Sequence, residues 1–150
     1  MIDAIDALLF EPVGTLADFP GGSRGYWERV SSLASRAEPF SADERARIES
    51  SELEAVEQGA IDDDAAPALS ELSTVGVTVI AASWLSDIAL ARFLERASLG
   101  HLFHHRWSRD TAAGVAAVLL TKAVTAGLFD PSRVLFLTDT EAGLRAAQRA

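Results

Sequence analysis

Few folds accommodate the stretch at residues 5–16, Ile-Asp-Ala-Leu-Leu-Phe-Glu-Pro-Val-Gly-Thr-Leu. Ala7 to Phe10 are apolar without a polar break, as in a strand buried on both faces. Glu11 ends the run, Pro12 and Gly14 mark a tight turn, and Thr15 adds a hydroxyl. A buried strand that closes on an acid and a glycine turn matches the carboxyl edge of a parallel sheet, where α/β proteins hold their ligands.

The rest of the chain alternates in the same sense. A strand over residues 4–10 is followed by a Pro-Gly-Gly loop at 20–22. Ser23 then caps a helix with Tyr26, Val30, Leu33 and Ala34 on one face, stopped by Pro39. Ser41 with Glu44 three residues on forms a capping box for a helix to Glu57, which ends at Gly59. Its apolar face is thin: Ile48, Leu53 and Val56. Helices over 65–73, 86–97, 111–126 and 140–149 alternate with strands over 77–82, 102–107 and 134–137. The pattern predicts an α/β, Rossmann-like fold, a mostly parallel sheet with helices on both faces. Residues 1–16 and 65–150 form the core, and 17–64 a small helical insertion.

Charge singles out that insertion. The chain of 150 residues carries a formal net charge of −9. Between Glu38 and Glu71 stand eleven acids and only Arg45 and Arg47, so this one segment carries the whole excess. Nucleic acid is excluded as a partner, because phosphate backbones need a basic stripe. The acids are read as a solvated helical face, with a basic protein as the partner such a face would suit. Asp62, Asp63 and Asp64 precede a helix, where its dipole favours carboxylates without any metal. No apolar run approaches the ~20 residues that span a bilayer, and no secretory leader is visible, so a cytoplasmic location is the default expectation. The chain has no cysteine, which excludes thiolate chemistry.

The opening stretch resembles motif I of the haloacid dehalogenase (HAD) superfamily, a hydrophobic strand followed by D-x-D-G-T-L. Gly14, Thr15 and Leu16 match. Glu11 stands at the nucleophile position, and Val13 stands where the family carries its general acid/base. Ser83, after the strand 77–82, matches the motif II hydroxyl that binds the transferred phosphoryl group, with Trp84 where a small residue is usual. The motif III lysine position falls near Gly114. The one lysine, Lys122, is expected to point away from the strand ends, whereas Arg106 and Arg109 are placed to meet an anion. The run Val-Leu-Phe-Leu-Thr-Asp-Thr-Glu-Ala-Gly from Val134 resembles motif IV. Asp139 matches the acid that helps to hold Mg²⁺, Gly143 replaces the second acid, and Glu141 is a carboxylate at the wrong spacing.

The resemblance implies a HAD-like core with a small cap and two functional readings. In the first, the catalytic site is degenerate and the protein acts by binding or association, with no cofactor. In the second it is a divergent hydrolase of a small phosphorylated or acidic substrate, with Glu11 and Asp139 as ligands of Mg²⁺ and Thr15, Ser83 and Arg109 on the anion. The first is favoured. Glu11 is one methylene too long for the in-line geometry, where ~1 Å of misplacement costs ~10²-fold. Val13 cannot donate a proton, a loss of ~10²–10⁴-fold. The metal-free dehalogenase branch of the family also needs the missing Asp. His101, His104 and His105 have a spacing that can bind metals on a helix. Here they fall in a loop and short strand, with His104 and His105 on opposite faces. Finally, the strand 134–137 falls at the sheet's edge, wholly apolar, which points to a homodimer through that edge.

Overall fold

The computed structural model describes residues 5–20, 40–111 and 116–150, with side chains of 116–119 left aside. Four strands, β1 (Ala7–Phe10), β4 (Thr78–Ala82), β5 (His105–Trp107) and β6 (Val134–Leu137), form one sheet in the order β5-β4-β1-β6. All three pairings are parallel, with Ala7 opposite both Thr78 and Val134. The chain builds outward from β1 to β4 and β5, then crosses to the other side of β1 to lay down β6. That reversal makes the carboxyl end of β1 the topological switch point.

Side chains of β1 alternate between two cores, as the pleat requires. Leu8 and Phe10 join Val79 and Ala81 against Leu69 of α2 (Ala65–Thr74) and Leu90 and Phe93 of α3 (Asp87–Arg96). Ala7 and Leu9 join Ile80 and Ala82 against Leu120 and Ala123 of α4 (Ala116–Ala126) and Ala146 of α5 (Glu141–Arg149). The central strands are buried on both faces, which explains their unbroken apolar runs.

Two short strands unread in the sequence, β2 (Ala17–Asp18) and β3 (Ala60–Ile61), pair antiparallel at the two stems of the insertion. Between them lies α1 (Ala42–Gln58), which has the expected capping box: Ser41 Oγ accepts from Glu44 N at 3.2 Å, and Ser41 N donates to Glu44 Oε2 at 2.9 Å. α1 packs along α3 rather than standing apart. Phe19, next to β2, meets Phe93 with ring centroids 6.3 Å apart. The helix expected between Ser23 and Pro39 lies outside the described residues, as does Gly114. β1 and β5 are shorter than expected. Asp6 N still reaches Arg133 O at 2.9 Å, and Thr78 N reaches Asp6 O at 2.9 Å, so the ladder extends one residue beyond β1. Ahead of β5, Leu99 N closes the end of α3 on Leu94 O at 2.9 Å, and Leu102 N then turns back onto Leu99 O at 2.9 Å. No helix among the described residues is long and apolar enough to cross a membrane.

Phe93 is fully buried where α3, Phe19 and the sheet meet. Phe93→Ala should lower unfolding free energy in urea by about 3–5 kcal/mol. Leu128→Ala, at a side chain 92% exposed, should change it by less than ~0.5 kcal/mol.

Candidate functional site

The turn after β1 winds around one carbonyl. Pro12 O accepts from Leu16 N at 3.0 Å and Ala17 N at 3.2 Å, and Gly14 N donates to Ala17 O at 2.8 Å. Gly14 has φ +84°, and a Cβ there would lie 2.2 Å from Asp139 Oδ2. Glycine thus serves both the left-handed turn and the close approach of the carboxylate at the end of β6. The Thr15 hydroxyl donates to Glu11 O, locking the turn to the strand it leaves.

Glu11 is fully buried, and both of its carboxyl oxygens have partners. Oε1 accepts from Ser83 Oγ at 2.8 Å and from Val13 N at 3.3 Å, and Oε2 accepts from Trp84 N at 3.1 Å. Ser83 Oγ in turn accepts from Leu85 N at 3.2 Å. The ends of β1 and β4 are joined through this one side chain. Burial pushes the Glu11 carboxyl up to about 8; the bonds from Ser83, Trp84 and Val13 pull it down, and the nearby Asp139 adds to the rise.

A second carboxylate closes the outer side of the same loop. Glu52 of α1, buried, forms a bidentate pair with Arg109: its Oε1 meets Nη1 and its Oε2 meets Nη2 at 3.2 Å. Glu52 Oε2 also accepts from Ser86 N at 3.0 Å, the N-cap residue of α3, and Arg109 Nη1 donates to Trp84 O at 3.1 Å. Trp84 is therefore held at its N–H by Glu11 and at its carbonyl by Arg109. Arg109, expected to meet an anion, meets the chain's own Glu52. The sequence reading passed over Glu52 as one acid of a solvated face. The signal was its place in the stripe Ile48, Glu52, Val56, four residues apart on the buried side of α1.

The remaining expected residues fall as follows. Val13 is buried and offers only its backbone N–H. Asp139 is exposed against Gly14, whereas at Gly143 a Cβ would come within 2.3 Å of Thr138 Oγ1, so that position leaves no room for a second acid. For Mg²⁺, which needs near-octahedral oxygen ligation, these residues do not fit. Glu11 has turned both oxygens to protein donors, and Asp139 is left as the one acid of the proposed pair facing solvent. Among the described residues no three metal-ligating side chains gather, those of His101, His104 and His105 included. Lys122 does not point away as expected: its Nζ runs back to Thr111 O, at 2.8 Å, as side chains that lean toward a helix N-terminus do. Beside the turn lies a cleft of about 340 Å³ lined by Gly14, Thr15, Asp18 and Asp62 among others.

Comparison with solved structures places the fold. The chain superposes on CbbY from Rhodobacter sphaeroides in complex with phosphate with a TM-score of 0.72 at 21% identity, over 97% of this chain and 82% of that one. This is the haloacid dehalogenase fold. A haloacid dehalogenase-like hydrolase from Streptococcus pneumoniae gives a TM-score of 0.70 at 15% identity, over 96% of this chain and 80% of that one. The L-2-haloacid dehalogenase of Xanthobacter autotrophicus, solved with chloropropionic acid covalently bound, gives 0.64 at 17% identity, over 96% and 74%. No family model and no curated protein matches the sequence. Within this HAD-like frame, Glu11 lies at the switch point of the sheet.

Two outcomes are expected from these carboxylates. Glu11 has a folded pKa of about 8 against 4.5 for the free side chain. Its contribution to stability is therefore full below pH 4.5, falls as pH rises, and is lost above about 8. Relative to Glu11→Gln, the native chain should lose a few kcal/mol between those limits, at most about 5; parallel stability-against-pH curves would refute this. Separately, Arg109→Met strands the buried Glu52 and should cost about 3 kcal/mol, while Arg109→Met with Glu52→Met should recover most of it. Urea titration of the two variants checks this.

Proposed function

We propose that this HAD-like protein has a degenerate catalytic site and acts by binding or association rather than by hydrolysis. The observation that carries the reading is the burial of Glu11 with both carboxyl oxygens bonded to Ser83, Trp84 and Val13. An attacking carboxylate needs a free oxygen in line with the bond it breaks, and a substrate oxyanion needs donors. Here the nucleophile position consumes the donors itself. The other candidate anion ligands are committed in the same way: Thr15 to the Glu11 carbonyl and Arg109 to Glu52.

Val13 removes the general acid, and the acid set is too poor for Mg²⁺. Asp18 and Asp62 on the wall of the adjoining cleft disfavour a small anionic ligand there. That leaves association as the better-supported role, with 17–64 serving as an acidic cap that faces solvent or a basic partner. A screen of phosphate monoesters with millimolar Mg²⁺ should give no turnover above an Asp139→Asn control, and calorimetry should give no saturable heat for the metal. Robust turnover lost on Asp139→Asn would replace this reading with that of a divergent Mg²⁺-dependent hydrolase.

A further inference from the structure

β6 is bonded to β1 on one side, and no strand among the described residues lies on its other side. Val134 and Phe136 turn toward α4 and α5 and are half-buried. Leu135 and Leu137 turn to the opposite face and stay 48% and 43% exposed. Leu144, on α5, is 54% exposed. Of the six large apolar side chains exposed among the described residues, three thus belong to this strand and the helix that follows it. Such an edge is a template for one more strand.

We propose that β6 pairs antiparallel with β6 of a second copy, extending the sheet across a two-fold axis. Three features select a second copy as the occupant. First, the strand is short and apolar throughout, so an antiparallel copy sets Leu135 and Leu137 in one row with their counterparts. Second, the strand ends carry opposite charge: Arg133 precedes it, its side chain 40% exposed beside Asp6, and exposed Asp139 follows it. With Leu135 opposite Leu137 of the second copy, Arg133 lies opposite Asp139 of that copy on the same face, whereas parallel pairing would set like charges together. Third, the acid excess stands elsewhere. α1 packs on α3 and α2 on β4, over the half of the sheet away from β6. Residues 38–71, which supply α1 and most of α2, carry a net charge of −9, and the rest of the chain is balanced. Two acidic copies meet with least repulsion through the β6 edge. The inference does not depend on whether the Glu11 site reacts.

Sedimentation velocity over a wide concentration range tests it. The 150-residue chain should form a dimer. Leu135→Lys with Leu137→Lys, at two half-exposed sites, should weaken it by about 100-fold or more through like charges set together, with the far-ultraviolet spectrum unchanged. Spin labels on Ser132→Cys should lie about 25 Å apart in the dimer, the separation that this antiparallel register sets at ~3.4 Å per residue along the strand and ~2 Å through the 3-10 turn at residues 131–133. A monomer at every concentration overturns the proposal, as does a dimer indifferent to the lysines or a label distance far from that value. If the double-lysine chain does not fold, the label distance alone decides.

Discussion

A carboxyl buried at the switch point of a parallel sheet has to be answered by its surroundings, and in this protein the surroundings of Glu11 are the ends of two strands. Removing a carboxylate from water costs several kcal/mol unless hydrogen bonds replace the lost hydration or a proton neutralises it. Both responses are visible. Ser83, Trp84 and Val13 each donate to it, and its pKa still rises to about 8. The turn from Pro12 to Ala17, the Thr15 hydroxyl on the Glu11 carbonyl and the close approach of Asp139 to Gly14 surround the same strand end.

The insertion obeys a parallel logic on the outer side of the loop. α1 has little apolar surface to offer, with Val56 its one fully buried hydrophobic residue. What fastens it is charge: Glu52 to Arg109 and Ser86, and, further out, Glu57 to Arg92 at 2.6 Å. The exposed pair adds little, because solvent screens it. The buried pair matters more for register than for net stability, since only one placement of α1 satisfies Glu52 and Arg109 together. The loop 83–86 is thereby gripped from both sides, by the core through Glu11 and by the insertion through Arg109.

Much of the fold was legible in the residues. The apolar runs at β1, β4 and β6, the capping box at Ser41 and Glu44, and the strand–helix alternation each act over a few neighbouring residues, so local spacing is enough to read them. The HAD-like frame was equally visible in Gly14-Thr15-Leu16 and in the turn around Asp139, because a glycine turn after a buried strand constrains its own sequence. The β2–β3 ribbon was not legible. Each of its strands has two residues, and they are brought together from positions more than forty apart, a pairing that local pattern cannot announce.

The sequence by itself determined that residue 11 is a glutamate, that Val13 and Gly143 carry no acid, and that the excess negative charge gathers in one segment. These are matters of residue identity, and folding cannot alter them. Only the tertiary structure decided where the side chains of Glu11, Glu52 and Arg109 turn. Each was free, on sequence alone, to face solvent or a ligand. The turn they take depends on donors up to 73 positions away in the chain, brought within reach when β1 and β4 pair and α1 packs on α3. Once water is excluded from that edge, each buried charge or polar group must find its partner within the protein, and the nearest partners were other parts of the same site.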